Sequence, residues 1–271
     1  MRERVRSRVI TEALRALLVL SLLAIVAEDQ AQDPTDIGSR EHQMRIAGRD
    51  SRPAHSVSPI PSAAAVSAHD LNVPPKARKE FEKGRKLLLE SRRSSESIAF
   101  LRKAIDIAPL YSEAHFLLGV AYIDLSRFSE AETSLAKATS INEKNGSANL
   151  ALGYCLIEER KYGQSEAPLV RGVESNPDSS LGHYDLARTY YALNRFGEAE
   201  EHVRKAISLT PEVAAMHALL ANLLLRTDQA GALLEFEETL RLEPGLTQIR
   251  DVITELKANS LPLLADGPDE Q

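Results

Sequence analysis

LSRFSEAE at residues 125–132 returns as LNRFGEAE at residues 193–200, with six of eight letters alike and a separation of 68 residues. Halfway between them, residues 159–166 read ERKYGQSE: a basic residue, an aromatic, then a small residue ahead of an acid. The period is therefore 34 residues. A repeat of this length constrains the fold more than any other feature. One such unit cannot bury an apolar face alone, so its neighbours must stack against it.

From about residue 78 the chain divides into five units, 78–111, 112–145, 146–179, 180–212 and 213–245. In the second unit His115, Leu118, Gly119 and Tyr122 fall at i, i+3, i+4 and i+7, one stripe of an amphipathic helix. A polar joint over 124–127 follows, and Phe128, Ala131, Leu135, Ala138 and Ile141 make a second stripe. Gly119 and Ala131 are small enough to let two antiparallel helices approach closely. Pro109, Pro177, Pro211 and Pro244 close four of the units, where the chain must leave the helix. Asn145-Gly146 supplies the turn in the second. The joint of the first unit reads one residue long, and that of the fifth one residue short around 227–231. Pro168 and Gly172 interrupt the second helix of the third unit, which is expected to start late, near Ser165, or to bend. Leu246, Ile249, Ile253 and Leu256 share one stripe after the last unit. They predict a final helix over 246–258 that covers the apolar face of the array.

These units resemble the tetratricopeptide repeat. Leu118-Gly119, Tyr122, Ala131, Leu135 and Ala138 carry the likeness in the second unit, and Leu152-Gly153, Leu169 and Pro177 in the third. The fourth matches at Leu186-Ala187, Tyr190, Ala199, Val203, Ala206 and Pro211. The resemblance implies an all-α fold: a right-handed superhelical solenoid of about five helix-turn-helix repeats over 76–258, ended by a capping helix. It also implies a non-enzymatic scaffold that captures a peptide or helix in a concave groove lined by the first helix of each repeat. The alternative is a structural or assembly subunit of an envelope complex, of pilus or secretion type. The family's groove positions fall here on Phe116, Leu117, Val120 and Ile123, on Leu150, Tyr154 and Ile157, on Tyr184, Asp185, Arg188 and Tyr191, and on Asn222 and Arg226. The family's pattern for clamping a chain-terminal carboxylate is absent. The stripe suits an apolar segment or helix face, with tyrosines as anchors and Arg188 selecting a carboxylate; alternatively, part of it packs between repeats.

The regions outside the array read differently. Arg2, Arg4, Arg6 and Arg8 precede the apolar run ALLVLSLLAIVA at 16–27. Twelve helical residues reach roughly 18 Å, short of the roughly 30 Å of a bilayer's hydrocarbon core. Residues 1–27 are therefore read as a secretory signal, cleaved so that the protein is periplasmic or secreted. An uncleaved anchor through residues 13–27 and a cytosolic chain are the alternatives. Losing five arginines and two glutamates with that leader takes the net charge from −6 to −9. Residues 28–75 hold six prolines and no Phe, Tyr or Trp, too little apolar surface to offset ordering, and are expected to be a disordered linker. Residues 259–271 form a tail.

No chemistry-bearing constellation stands out. The acidic balance argues against a nucleic-acid partner, which needs a basic stripe. Neither a phosphate-binding glycine loop nor a nucleophile elbow occurs, and no cofactor or small-molecule substrate is expected. His115 and His183 fall at the fourth position of their units and His217 at the fifth, one repeat or more apart, so they are read as packing residues and no metal is expected. His42, His55 and His69 lie in the linker without ligand spacing. Cys155, the one cysteine, is read as a buried, inert thiol. The expected partner is a protein or peptide, with membrane contact only through an uncleaved N-terminus.

Overall fold

The computed structural model describes residues 72–260, and every element in that range is an α-helix. Residues 1–71, which include the expected leader and most of the expected linker with His42, His55 and His69, and residues 261–271 of the expected tail lie outside the described residues. Five helix pairs follow one another. They are α1 (Pro75–Leu89) with α2 (Ser94–Ile107), α3 (Ser112–Asp124) with α4 (Phe128–Ile141), and α5 (Gly146–Glu158) with α6 (Tyr162–Ser175). After them come α7 (Ser180–Ala192) with α8 (Phe196–Leu209), and α9 (Ala214–Leu224) with α10 (Gln229–Leu242). A single helix, α11 (Thr247–Ser260), packs on α10. Each helix packs on the next along the chain, and consecutive first helices α1, α3, α5 and α7 also touch. This is the nearest-neighbour stacking of an all-α solenoid.

Within a pair, a small residue on the first helix meets a branched one on the second. A Cβ built on Gly84 would lie 2.8 Å from Leu101 Cγ, and one on Gly119 2.5 Å from Leu135 Cγ. Gly153 faces Leu169 in the same way. In the fourth pair the volumes are exchanged: Ala187 takes the glycine's place, and the smaller Val203 takes that of leucine. In the fifth, Ala221 shares a cluster with Phe236. These pairs also measure the joints. The partners lie 17 residues apart in the first pair, 16 in the next three and 15 in the fifth, so the first joint is one residue long and the fifth one short.

The joints have a common geometry. Ser126, Arg160 and Asn194 adopt left-handed backbone, with φ of 58°, 59° and 61°, and Arg92 does so at 51°. Arg127 N–H donates to Tyr122 C=O at 2.9 Å, Lys161 N–H to Leu156 C=O at 2.7 Å, and Arg195 N–H to Tyr190 C=O at 2.8 Å. With the neighbouring bond from Ser126 N–H to Ile123 C=O, this is a Schellman ending, which satisfies carbonyls that the helix terminus would otherwise leave unpaired. The basic residue of each repeated octapeptide follows the left-handed one. Arg127 pairs with Glu130 and lies 4.8 Å over the Tyr122 ring; Arg195 pairs with Glu198 and lies 4.4 Å over Tyr190. Lys161 and Arg195 also reach back one repeat, to Glu132 at 2.7 Å and Glu166 at 2.6 Å.

The late start near Ser165 is not seen: α6 runs from Tyr162 with Pro168 inside it. The ring costs one backbone bond, to the carbonyl of Gln164, an exposed residue that water can reach, while Pro168 itself is buried.

The two ends of the array differ from its middle. Aligned on the small residues, Ala114, Leu118 and Ala121 of α3 correspond to Ala148, Leu152 and Cys155 of α5. They correspond also to Gly182, Leu186 and Thr189 of α7, and to Met216, Leu220 and Leu223 of α9, all of them buried. In α1 the same three positions are Lys79, Lys83 and Lys86, all accessible, with Lys83 and Lys103 each 5.5 Å over the Phe100 ring. At the other end α11 covers α10 through Ile253, which clusters with Ala221 and Phe236.

Candidate interaction surface

The structure separates the first-helix stripe into buried and accessible members. Phe116 is 0% exposed, Leu117 likewise, and Ile157 2%, so these three cannot line an open groove. The reason is that α3 touches both α1 and α5, and α5 touches α7, so side chains on the flanks are enclosed between first helices. Val120 and Ile123 remain half-buried on the first apolar cluster, and Leu150, Tyr184 and Tyr191 on the second. Tyr154 and Asn222 are half-buried, and Arg226 is exposed.

Arg188 is not free to select a carboxylate. Its Nη1 donates to Asp185 at 3.2 Å and its Nη2 to Glu158 at 3.2 Å, and the guanidinium lies 5.8 Å over the Tyr184 ring. Burial opposes its charge, but Asp185, Tyr184 and Glu158 outweigh that and hold its pKa above the ordinary guanidinium value. Two carboxylates thus hold the one guanidinium at the centre of the stripe. Asp185 is itself buried in this pair.

Three further aromatics complete the surface. Phe128, Tyr162 and Phe196 open the second helices and are half-buried against the same clusters. Phe128 meets Tyr154 of the next repeat edge-on at 6.1 Å, Phe196 meets Tyr191 at 5.7 Å, and Arg226 lies 4.2 Å over Phe196. The signal for them was the octapeptide itself, whose aromatic recurs every 34 residues. The accessible surface is therefore a ladder in which first-helix tyrosines alternate with second-helix aromatics.

Residues 112–145 match a family model described as tetratricopeptide repeat, and residues 156–223 match a second model of that description. Over those residues the chain is similar to the tetratricopeptide repeat. Solved structures agree on the fold. MamA from Desulfovibrio magneticus RS-1 superposes with a TM-score of 0.58 at 20% identity, over 64% of this chain and 98% of that one. YrrB, described as a TPR protein with an unusual peptide-binding site, gives 0.59 at 17%, over 66% and 92%. A further MamA structure, MSR-1 C2, gives 0.55 at 22%, over 63% and 98%. At these identities the likeness is one of fold. The comparison with curated proteins gave no match.

The recurring histidines of the array have a structural task. His115, His183 and His217 each place Nε2 on the carbonyl of the proline six residues earlier, at 3.0, 3.1 and 2.8 Å from Pro109, Pro177 and Pro211. A carbonyl cannot donate, so each Nε2 carries the proton. In the third repeat Asn149 does the same, donating through Nδ2 to Glu143 C=O at 2.8 Å. Arg250 of α11 repeats the contact with Pro244 C=O at 3.3 Å. The fourth residue of a first helix thus fastens its start to the preceding joint, a role announced in sequence by its fixed distance from the proline. Cys155 is buried, and burial, with Glu159 and Glu158 nearby, pushes its thiol pKa well up, which withholds the thiolate at neutral pH.

Proposed function

We propose that this protein is a non-enzymatic interaction scaffold that captures an apolar peptide segment or helix face along its first helices, outside the cytosol. The observation that carries the reading is the aromatic ladder. Phe128, Tyr154, Tyr162, Tyr184, Tyr191 and Phe196 are held half-buried on three consecutive repeats, so apolar contact area is presented with little side-chain freedom left to lose. Rigid aromatics of this kind are the usual anchors of a binding surface. The description of YrrB as a peptide-binding TPR protein supports the use of such a scaffold for peptides. Arg188 is already held by Asp185 and Glu158, which favours an apolar segment over a carboxylate as the occupant. The basic start and twelve-residue apolar run of residues 1–27 support export.

A displayed-peptide selection on the purified protein tests the reading. Selected peptides should carry aliphatic or aromatic anchors at helical spacing. Replacing Tyr154, Tyr184 and Tyr191 by Ala should weaken them at least tenfold while the far-ultraviolet dichroism stays helical. Undiminished binding by the folded triple variant would remove the ladder as the site.

A further inference from the structure

A groove lies on the other side of the array, between second helices α2 and α4 and over the first helix α3. It encloses about 760 Å³. His115 and Leu118 form its floor, Arg102 and Ile105 one wall, and Ser134 and Lys137 the other. The repeat explains why it opens here. In the fourth repeat the corresponding space is taken by His202, whose Nδ1 is 3.0 Å from Nδ1 of His183. In the fifth it is taken by Glu235, whose Oε2 is 2.7 Å from Nδ1 of His217. In the third, Arg171 reaches over and donates to Asn149 Oδ1 at 3.2 Å. His202 precedes Val203 and Glu235 precedes Phe236; the residue preceding Leu135 is Ser134, whose hydroxyl donates to its own helix at Glu130 C=O, 2.9 Å. His115 Nδ1 consequently has no hydrogen-bonding partner among the described residues, although its Nε2 is fastened just as in the other repeats.

We infer that this groove binds a carboxylate side chain of a partner peptide on His115 Nδ1, flanked by Arg102 and Lys137, with an adjoining aliphatic side chain on Leu118 and Ile105. The chemistry is copied from within the molecule. His217 shows the same imidazole, tied to its proline carbonyl, meeting a carboxylate at hydrogen-bond distance. The charges agree: Arg102 and Lys137 outnumber Asp106, the one acid of the groove. Arg102 is already oriented, donating to the Tyr122 hydroxyl at 2.6 Å. The partner is thus an acidic, aliphatic segment.

Because Nε2 already carries a proton, a carboxylate on Nδ1 requires a second one, so binding takes up a proton. Burial holds the free imidazole's pKa below its ordinary value, and Lys137 acts the same way against the opposing Pro109 bond. The charged groups facing His115 are Arg102 and Asp106 from α2 and Lys137 from α4. Affinity therefore rises as pH falls from 7.5, by up to tenfold per unit, and levels off below the free imidazole's pKa.

The test titrates the purified protein with acetyl-Leu-Glu-Leu-amide and with its neutral twin acetyl-Leu-Gln-Leu-amide, following the His115 ring by NMR. The glutamate peptide should shift the ring saturably, raise its pKa, and bind at least tenfold more tightly than the twin. Lys137→Glu, a change at an exposed position, should weaken binding at least tenfold. Ser134→Glu should abolish it by supplying the carboxylate internally, as Glu235 does. Equal binding of the two peptides, no shift at about 10 mM peptide, or unchanged binding by a folded Ser134→Glu variant would each overturn the assignment. The tyrosine variants of the ladder should leave this titration unaffected.

Discussion

Gly119→Ala is the sharpest probe of how the helix pairs are held. Alanine normally stabilises a helix interior by about 1 kcal/mol over glycine, through the entropy of the unfolded chain. Here its Cβ would sit 2.5 Å from Leu135 Cγ and 2.7 Å from Cδ2, and Leu135 is fully buried. Overpacking of that kind costs about 1–3 kcal/mol, so the variant should lose about 1 kcal/mol net. Leu135→Val alone removes one methylene and leaves a small void, for a loss of about 1 kcal/mol. The double variant copies the Ala187 and Val203 pair of the fourth repeat: the shorter side chain removes the clash and the helix gain remains. It should lie close to the parent, a coupling of about 2 kcal/mol between the two sites. Urea unfolding of the four proteins, followed by circular dichroism, measures the cycle. A neutral or stabilising Gly119→Ala, or losses that simply add, would refute the claim that this contact sets the helix spacing.

Ser126→Gly should stabilise the array by about 0.5–1 kcal/mol, because glycine takes the left-handed conformation of that joint without strain, whereas Ser126→Ala should bring no gain; thermal unfolding of the two compares them. His217→Ala should cost about 1–3 kcal/mol in urea by removing both the Pro211 and Glu235 contacts of a buried ring. The His183–His202 pair should make the array acid-sensitive. Burial first, and for His202 also its neighbour His183, lower both pKa values, so the folded pair resists protons that the unfolded chain binds. Stability from this pair is complete above about pH 6.5, the unfolded value, and is lost as pH falls towards the depressed folded values. The urea midpoint should fall between pH 7.5 and 5.5, and fall less in His202→Gln; identical pH profiles would contradict it.

Periodicity carried most of the fold into the sequence. The 34-residue spacing, the small residues at 119 and 153 and the prolines at 109, 177 and 211 each act within one or two turns of chain, so they can be read without coordinates. Even the extra residue in the first joint and the missing one in the fifth were visible as slips of that spacing. The surface was less legible. Phe116 and Ile157 occupy positions that a family pattern leaves open, and their burial depends on contact between first helices whole repeats apart. Arg188 offered a charge in sequence, but its neutralisation by Glu158 bridges 30 residues. The opening at His115 shows only when Ser134, His202 and Glu235 are aligned through the packing partner that follows each of them.

The lysines of α1 bear on how long such a protein can become. A stacked array is in principle open-ended, since the face that receives one repeat would receive another. At Lys79, Lys83 and Lys86 that invitation is withdrawn: ammonium groups stand where every later first helix brings methyl or methylene surface to its predecessor. A repeat duplicated in front of α1 would have to strip water from three like charges, whereas one inserted between α4 and α5 would find apolar surface on both sides. Lengthening by duplication, in a laboratory or in a lineage, is therefore channelled to the interior of the array, and the lysine face stays at the first repeat.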